Sequence, residues 1–182
     1  MSVPITKRGE RILTAARAEF ALSGGDAQMD AIAGRAHLGV GTLYRHFPTK
    51  DALMAGLIRE RFEAFVPAAH AALELDDPWE AFASFMRENA TACAADVGTQ
   101  HVFLDIDPEM GPRLARETGL HDLSQQLIER GQAAGAIRAD FSADDIGMIM
   151  CGLASTMHFG NPDWDWERHL TFLLDGLRPP RA

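Results

Sequence analysis

The stretch Gly41-Thr-Leu-Tyr-Arg-His-Phe-Pro-Thr-Lys-Asp-Ala-Leu53 governs the reading of this chain, and it follows closely on Met29-Asp-Ala-Ile-Ala-Gly-Arg-Ala36. Two short helical patterns parted by a tight, glycine-bearing turn are what a helix-turn-helix requires. The second pattern carries Thr42, Tyr44, Arg45 and His46. These side chains can donate hydrogen bonds to phosphates and base edges. Such a surface predicts double-stranded DNA as the partner.

The bulk composition argues the other way. Across 182 residues the net charge is −9, which disfavours a polyanion. The distribution reverses that locally. Residues 1–60 hold eight Lys/Arg against six Asp/Glu, a balance of +2, whereas residues 61–182 hold nine against twenty, a balance of −11. Both lysines, Lys7 and Lys50, fall in the first third. A DNA-facing module joined to an acidic body is the simplest source of that asymmetry.

The remaining composition bounds the class. Hydrophobic residues make up 47% and charged residues 24%, values of a soluble globular protein. No apolar run approaches the ~20 residues of a membrane span. The amino terminus lacks the apolar stretch of a secretory signal. A cytoplasmic protein with no membrane partner is therefore expected. Cys93 and Cys151 lie in apolar helical contexts without metal-ligand spacing and read as reduced, buried thiols.

Outward from the opening motif the whole chain reads helical. Ile12, Leu13, Ala16 and Phe20 repeat at helical spacing, which predicts a first helix over 6–23, stopped by Gly24-Gly25. A second helix over 28–36 turns Met29, Ile32 and Ala33 inward, and a third over 40–46 is anchored by Leu43 and Phe47. Pro48 ends it, and Thr49 can cap a fourth, which Pro67 is expected to kink or end. Asp77-Pro78 is a helix start with Trp79, Phe82, Phe85, Met86 and Ala90 on its core face. Residues 96–112, with four Gly and Pro, look irregular. Further helices follow around Leu120–Ile128, over 143–158 with Ser142 as cap, and through Leu170–Leu177. No strand pattern or internal repeat is present.

These residues resemble a known family. Arg11-Ile-Leu-x-Ala-Ala16 with Phe20, then Ile32-Ala-x-x-Ala36, then Gly41 to Phe47 with Lys50 and Leu53, are similar to the DNA-binding domain of TetR/AcrR-type bacterial transcriptional regulators. The resemblance implies an all-α fold: a three-helix DNA-binding head over residues 1–52 and a helical effector-binding and dimerisation body over 53–182. It implies that the third helix enters the major groove by its amino-terminal end. Val40, Gly41, Thr42 and Arg45 would then lie nearest the base edges. Tyr44, His46, Lys50 and Gln28 match phosphate-contacting positions. The chain departs from the family at Gln28, Gly39 and Val40, where capping or polar residues are usual, so base reading is expected to lean on Thr42 and Arg45.

The family also implies a homodimer on a palindromic operator, released by a small-molecule effector held in the body. Gly147, Gly152, Ala154 and Ser155 in an otherwise apolar helix suit close approach of a partner helix. Phe82, Phe85, Met86, Phe103, Met148, Cys151, Met157 and His158 are the candidate lining of an effector pocket, Met and Phe giving an adaptable apolar wall. The histidines are scattered and the acidic run 105–109 lacks calcium-loop spacing, so neither a metal nor another cofactor is expected. An enzyme is the competing class, but no nucleophile motif or phosphate loop supports one. An architectural or recombinase-type DNA binder would need a basic tail or catalytic acids in a mixed fold, and residues 61–182 are acidic and helical instead.

Overall fold

The structure is a computed structural model describing residues 6–96, 98, 99, 102, 107–158 (His158 without its side chain), 161 and 163–179. Among the described residues it comprises nine α-helices and no strand. They are α1 (Lys7–Ser23), α2 (Met29–Arg35), α3 (Val40–His46), α4 (Lys50–Leu73), α5 (Pro78–Ala95), α6 (Met110–Glu117), α7 (Leu120–Ala133), α8 (Ala143–His158) and α9 (Trp166–Gly176).

Local chemistry sets most helix starts. The first N–H groups of a helix have no partner within it, so a side-chain oxygen must supply one. Thr6 accepts from Gly9 N–H at 3.2 Å, and Thr49 from Ala52 N–H at 3.1 Å. Asp77 accepts from Trp79 and Glu80 N–H at 2.8 and 3.0 Å, with Pro78 in the first turn. At the start of α8, Asp145 Oδ2 accepts both the Ser142 N–H at 2.8 Å and the Ser142 hydroxyl at 3.0 Å, which is half of a capping box. Asp165 caps α9 through Arg168 N–H.

Two apolar clusters organise these helices. The first gathers Ile12, Leu13, Ala16 and Phe20 of α1, Ile32 and Ala33 of α2, Leu43 of α3 and Leu53, Met54, Leu57 and Ile58 of α4, closed from the far side by Val102, Met110 and Leu114. The second holds Phe65, Ala69 and Ala72 of α4 with α5, α7, α8 and α9. Phe82 and Phe141 meet edge to face there, centroids 5.7 Å apart. Phe62 packs against both clusters. The division expected at 52/53 lies within α4, whose Leu53, Met54, Leu57 and Ile58 pack in the first cluster.

Three expectations need correction. Pro67 does not end α4, which continues to Leu73. Proline inside a helix costs about 3 kcal/mol, and burial of Phe65, Ala69 and Ala72 around it offsets that. The last three residues of the region expected to be irregular, 110–112, already belong to α6, where Pro112 sits in the first turn and is harmless. Cys151 is exposed rather than buried, because α8 turns that face away from its own core, while Cys93 is buried. Burial pushes the Cys93 thiol up, Arg61 opposing it in part, and desolvation also raises Cys151.

Head and body are also joined by ion pairs. Asp96, the cap of α5, pairs with Arg61 at 2.9 Å and with Arg17 at 3.3 Å. Burial works against ionisation of Asp96, but hydrogen bonds from Thr99 and the Arg61 charge outweigh it and hold its pKa below the ordinary 3.8. A carboxylate depressed in the folded state contributes stability that is whole above the unfolded pKa and is lost as pH falls through the folded one. Asp96→Asn should therefore flatten the acid limb of the stability curve below 3.8. Urea midpoints of both proteins between neutral and acid pH check this.

Candidate nucleic-acid interface

The helix-turn-helix is α2, the turn His37–Gly39, and α3. α2 ends in a Schellman arrangement, with Leu38 N–H donating to Ala33 C=O at 3.0 Å and His37 N–H to Gly34 C=O at 3.0 Å. The residue that bends the chain is His37, at φ 51°, in the left-handed region usually left to glycine. Gly39, expected as the turn glycine, has an ordinary φ of −68°. It begins α3 without a side-chain cap, and Gln28 likewise supplies none to α2. Gln28 instead folds back to donate from Nε2 to Asp26 C=O at 2.7 Å.

Only Leu43 of α3 is buried, and it pins the helix to the first cluster. Val40, Gly41, Tyr44 and Arg45 all lie on the exposed side. Tyr44 is 44% exposed and Val40 37%, high for large apolar bodies beside a core. A Cβ added at Gly41 would meet nothing within 4 Å. Bulk at that position is limited by no contact of this chain, so any limit comes from what docks on the helix. Arg45 lies along the helix, Nη2 donating to Thr42 Oγ1 at 3.0 Å. That bond orders two of the residues expected at the base edges.

Two further candidates are tied into the head. His46 Nδ1 lies 2.9 Å from Thr42 C=O, and Nε2 lies 3.3 Å from the Thr6 hydroxyl. With the proton on Nδ1, the ring donates to Thr42 and accepts from Thr6, joining the end of α3 to the start of α1. Lys50 donates to Gly25 C=O and lies 5.6 Å from the Phe20 ring centroid. It is half-buried at the amino end of α4, where a phosphate could take the place of the carbonyl. The pull of Lys50 on Gly25 had no signal in the sequence, because the partner is a backbone group.

The expected effector lining is not gathered in one place. Phe82, Phe85 and Met86 are packed in the second cluster, the first and last with no exposure. Met157 is half-buried against that cluster. Met148 is 71% exposed, and with Cys151 it stands on the outer face of α8. Phe103 and the side chain of His158 lie outside the described residues. An open cavity of about 410 Å³ at the α8–α9 corner is lined by Thr156, Asp163, Trp164, Asp165, Arg168, His169 and Phe172, none of them in the expected set. No group of three metal-ligating side chains stands together among the described residues. Nor is any described helix long and apolar enough to cross a membrane.

With this geometry in view, the relatives of the chain take on meaning. The family of bacterial regulatory proteins, tetR family, matches residues 12–57, and the C-terminal domain of SbtR-like transcriptional regulators matches residues 77–179. The chain belongs to the TetR family of DNA-binding transcriptional regulators, which are not enzymes. It is 32% identical to a TetR regulatory protein of Mycobacterium vanbaalenii, over 93% of each chain, with a TM-score of 0.55. It is 29% identical to the regulator SCO0520 of Streptomyces coelicolor, over 96% of this chain and 100% of that one, with a TM-score of 0.57. The fold is also that of FadR from Bacillus subtilis in complex with stearoyl-CoA, at 19% identity, 92% and 96% coverage and a TM-score of 0.73. No curated protein matches the chain.

The left-handed histidine gives a direct test of the turn. An L-residue in this region costs ~1–2 kcal/mol, and glycine gives back ~0.5–1 kcal/mol of that through its freer unfolded chain. His37→Gly should therefore raise stability by about 0.5–1 kcal/mol. A thermal or denaturant melt measures it, and a loss of stability would contradict the strain.

Proposed function

We propose that this regulator is a cytoplasmic homodimeric repressor that binds a palindromic operator and is released by a small-molecule effector. The observation that carries the reading is α3: one buried anchor, Leu43, and an outer face of Val40, Gly41, Tyr44 and Arg45 that stays exposed in the single chain. In that reading Val40, Gly41, Thr42 and Arg45 approach base edges, with Val40 suited to a thymine methyl. Tyr44, His46, Lys50 and Gln28 serve the phosphates, the last two by exchanging a backbone carbonyl for a phosphate oxygen.

The dimer reading is supported by the outer face of α8. Gly147, Met148, Cys151 and Gly152 are exposed in the single chain, with open space above both glycines. On α9 Phe172 is 59% exposed. A surface of small and apolar residues on two adjacent helices fits a self-complementary seam. Two-fold symmetry would then set two copies of α3 on one DNA face, about one turn of ~34–36 Å apart.

The effector reading rests on the body. Its core is closed around Phe82 and Met86, so a ligand among Phe85, Met86 and Met157 must part packed side chains. Binding and body packing are then linked, and a ligand that favours one packing shifts the head with it. Met and Phe adapt to such a change at low cost. Met148 and Cys151 would contribute only where the seam of the dimer closes over them.

Two outcomes test the reading. Tyr44→Ala and Arg45→Ala should each weaken binding to a duplex selected by the wild type by about fivefold to 150-fold, from ~1–3 kcal/mol per lost contact, with unchanged helicity. Wild-type affinity in both variants would remove α3 as the reading helix. Met148→Arg should turn a species of about twice 19.9 kDa into one of 19.9 kDa by light scattering.

A further inference from the structure

The carboxylate of Asp96 gathers donors from both parts of the molecule. Its Oδ2 accepts Arg61 Nη2 of α4 at 2.9 Å, Arg17 Nε of α1 at 3.3 Å and the Thr99 hydroxyl at 2.5 Å. Its Oδ1 accepts the Thr99 N–H at 3.1 Å. The Arg61 side chain is only 6% exposed, and the same guanidinium reaches the Asp96 carbonyl at 3.3 Å and Cys93 Sγ at 3.6 Å. Arg17 completes the ring with Glu60 of α4 at 2.9 Å.

Beside this cluster the backbones of head and body touch. A Cβ added at Gly98 would lie 2.2 Å from the Arg17 carbonyl oxygen, and the obstacle is backbone that cannot swing aside. Thr99, whose hydroxyl completes the site, has no exposure. The chain just past α5 is thus pressed against α1 at Gly98 with no room for a methyl group, and a charged net holds it there.

Apolar contacts between helices tolerate sliding, whereas one carboxylate oxygen shared by two guanidinium groups does not. Buried ion pairs add little net stability over apolar packing, and their better attested role is to fix registry. Registry is what this position needs. Arg17 belongs to the helix that packs the head, Asp96 to the body, and Arg61 to the helix that runs through both.

We infer that Asp96 is a positioning residue that sets the angle of the DNA-binding head on the body, and that a change in the body reaches the head through it. Any shift of the end of α5 either draws Arg17 and Arg61 along or costs a buried guanidinium its carboxylate. The inference rests on the two-headed, operator-binding reading, since only then does the angle of a head matter for affinity. With both heads on one duplex, the second binding event depends on geometry, and an unfixed angle lowers its effective concentration without touching any DNA contact.

The test uses a palindromic duplex that the wild-type protein recovers from a random library, and the same duplex with one half-site scrambled. Asp96→Asn and Arg17→Gln should each lose about tenfold or more on the palindrome and less than about twofold on the single half-site. A variant that was merely less stable would lose equally on both. Arg17 is 31% exposed in its side chain, so Arg17→Gln carries the test if Asp96→Asn does not fold. A wild-type ratio of palindrome to half-site affinity in the folded variants overturns the inference and leaves the operator reading standing. Should the wild type recover no palindrome, the operator reading itself fails. Hydrogen exchange then decides the clasp: exchange must quicken in α1 after Arg17 and in α4 around Arg61 while α2 and α3 stay unchanged, and an unaltered pattern overturns it.

Discussion

The molecule depends on α4 being one helix shared by two cores. Its 24 residues span about 36 Å at 1.5 Å per residue, with Leu53 to Ile58 in the first cluster and Phe65 to Ala72 in the second. A proline within it would ordinarily mark a joint. Here the packing on both sides keeps the rod continuous, and Phe62 touches both clusters where they meet. The head cannot turn without moving a helix that the body grips, which couples the two parts.

The head shows how a small domain can leave a face unspent. α3 is seven residues long and contributes a single buried side chain, so most of its outer surface is left exposed. The mild positive balance of the first third supplies attraction to phosphate, and the acidic body keeps the rest of the chain off the polyanion. The same head reinforces itself through bonds invisible in a pattern of residue types: Lys50 to the Gly25 carbonyl, Arg11 to the Ala36 carbonyl at 2.7 Å, and His46 bridging to Thr6. Three side chains with DNA-binding chemistry or charge thus do structural service within the chain as well.

Much of the fold was legible because it is local. Thr6, Thr49 and Asp77 announce their helices through capping chemistry that acts within three residues. The inward faces of α1, α2 and α5 follow from spacing alone. The long reach of α4 past Pro67, the existence of α6 and the exposure of Cys151 were not legible, since each depends on what lies across the core. The left-handed turn at His37 escaped for a related reason: glycine is the usual bearer of that conformation, and Gly39 stood two residues away. Of the candidate DNA contacts, Val40, Gly41, Tyr44 and Arg45 lie together on one exposed face, whereas the candidate effector residues divide between the core and the outside of α8.

The sequence by itself determined the helical class, the helix-turn-helix and the charge division, because period, caps and residue type act over a few neighbours. Tertiary structure alone decided where Asp96 would find Arg17 and Arg61, residues 79 and 35 positions away along the chain. Nothing in the spacing of one Asp and two Arg marks them as partners. Their meeting is a consequence of two helices and the end of a third being brought to one point by the apolar clusters on either side.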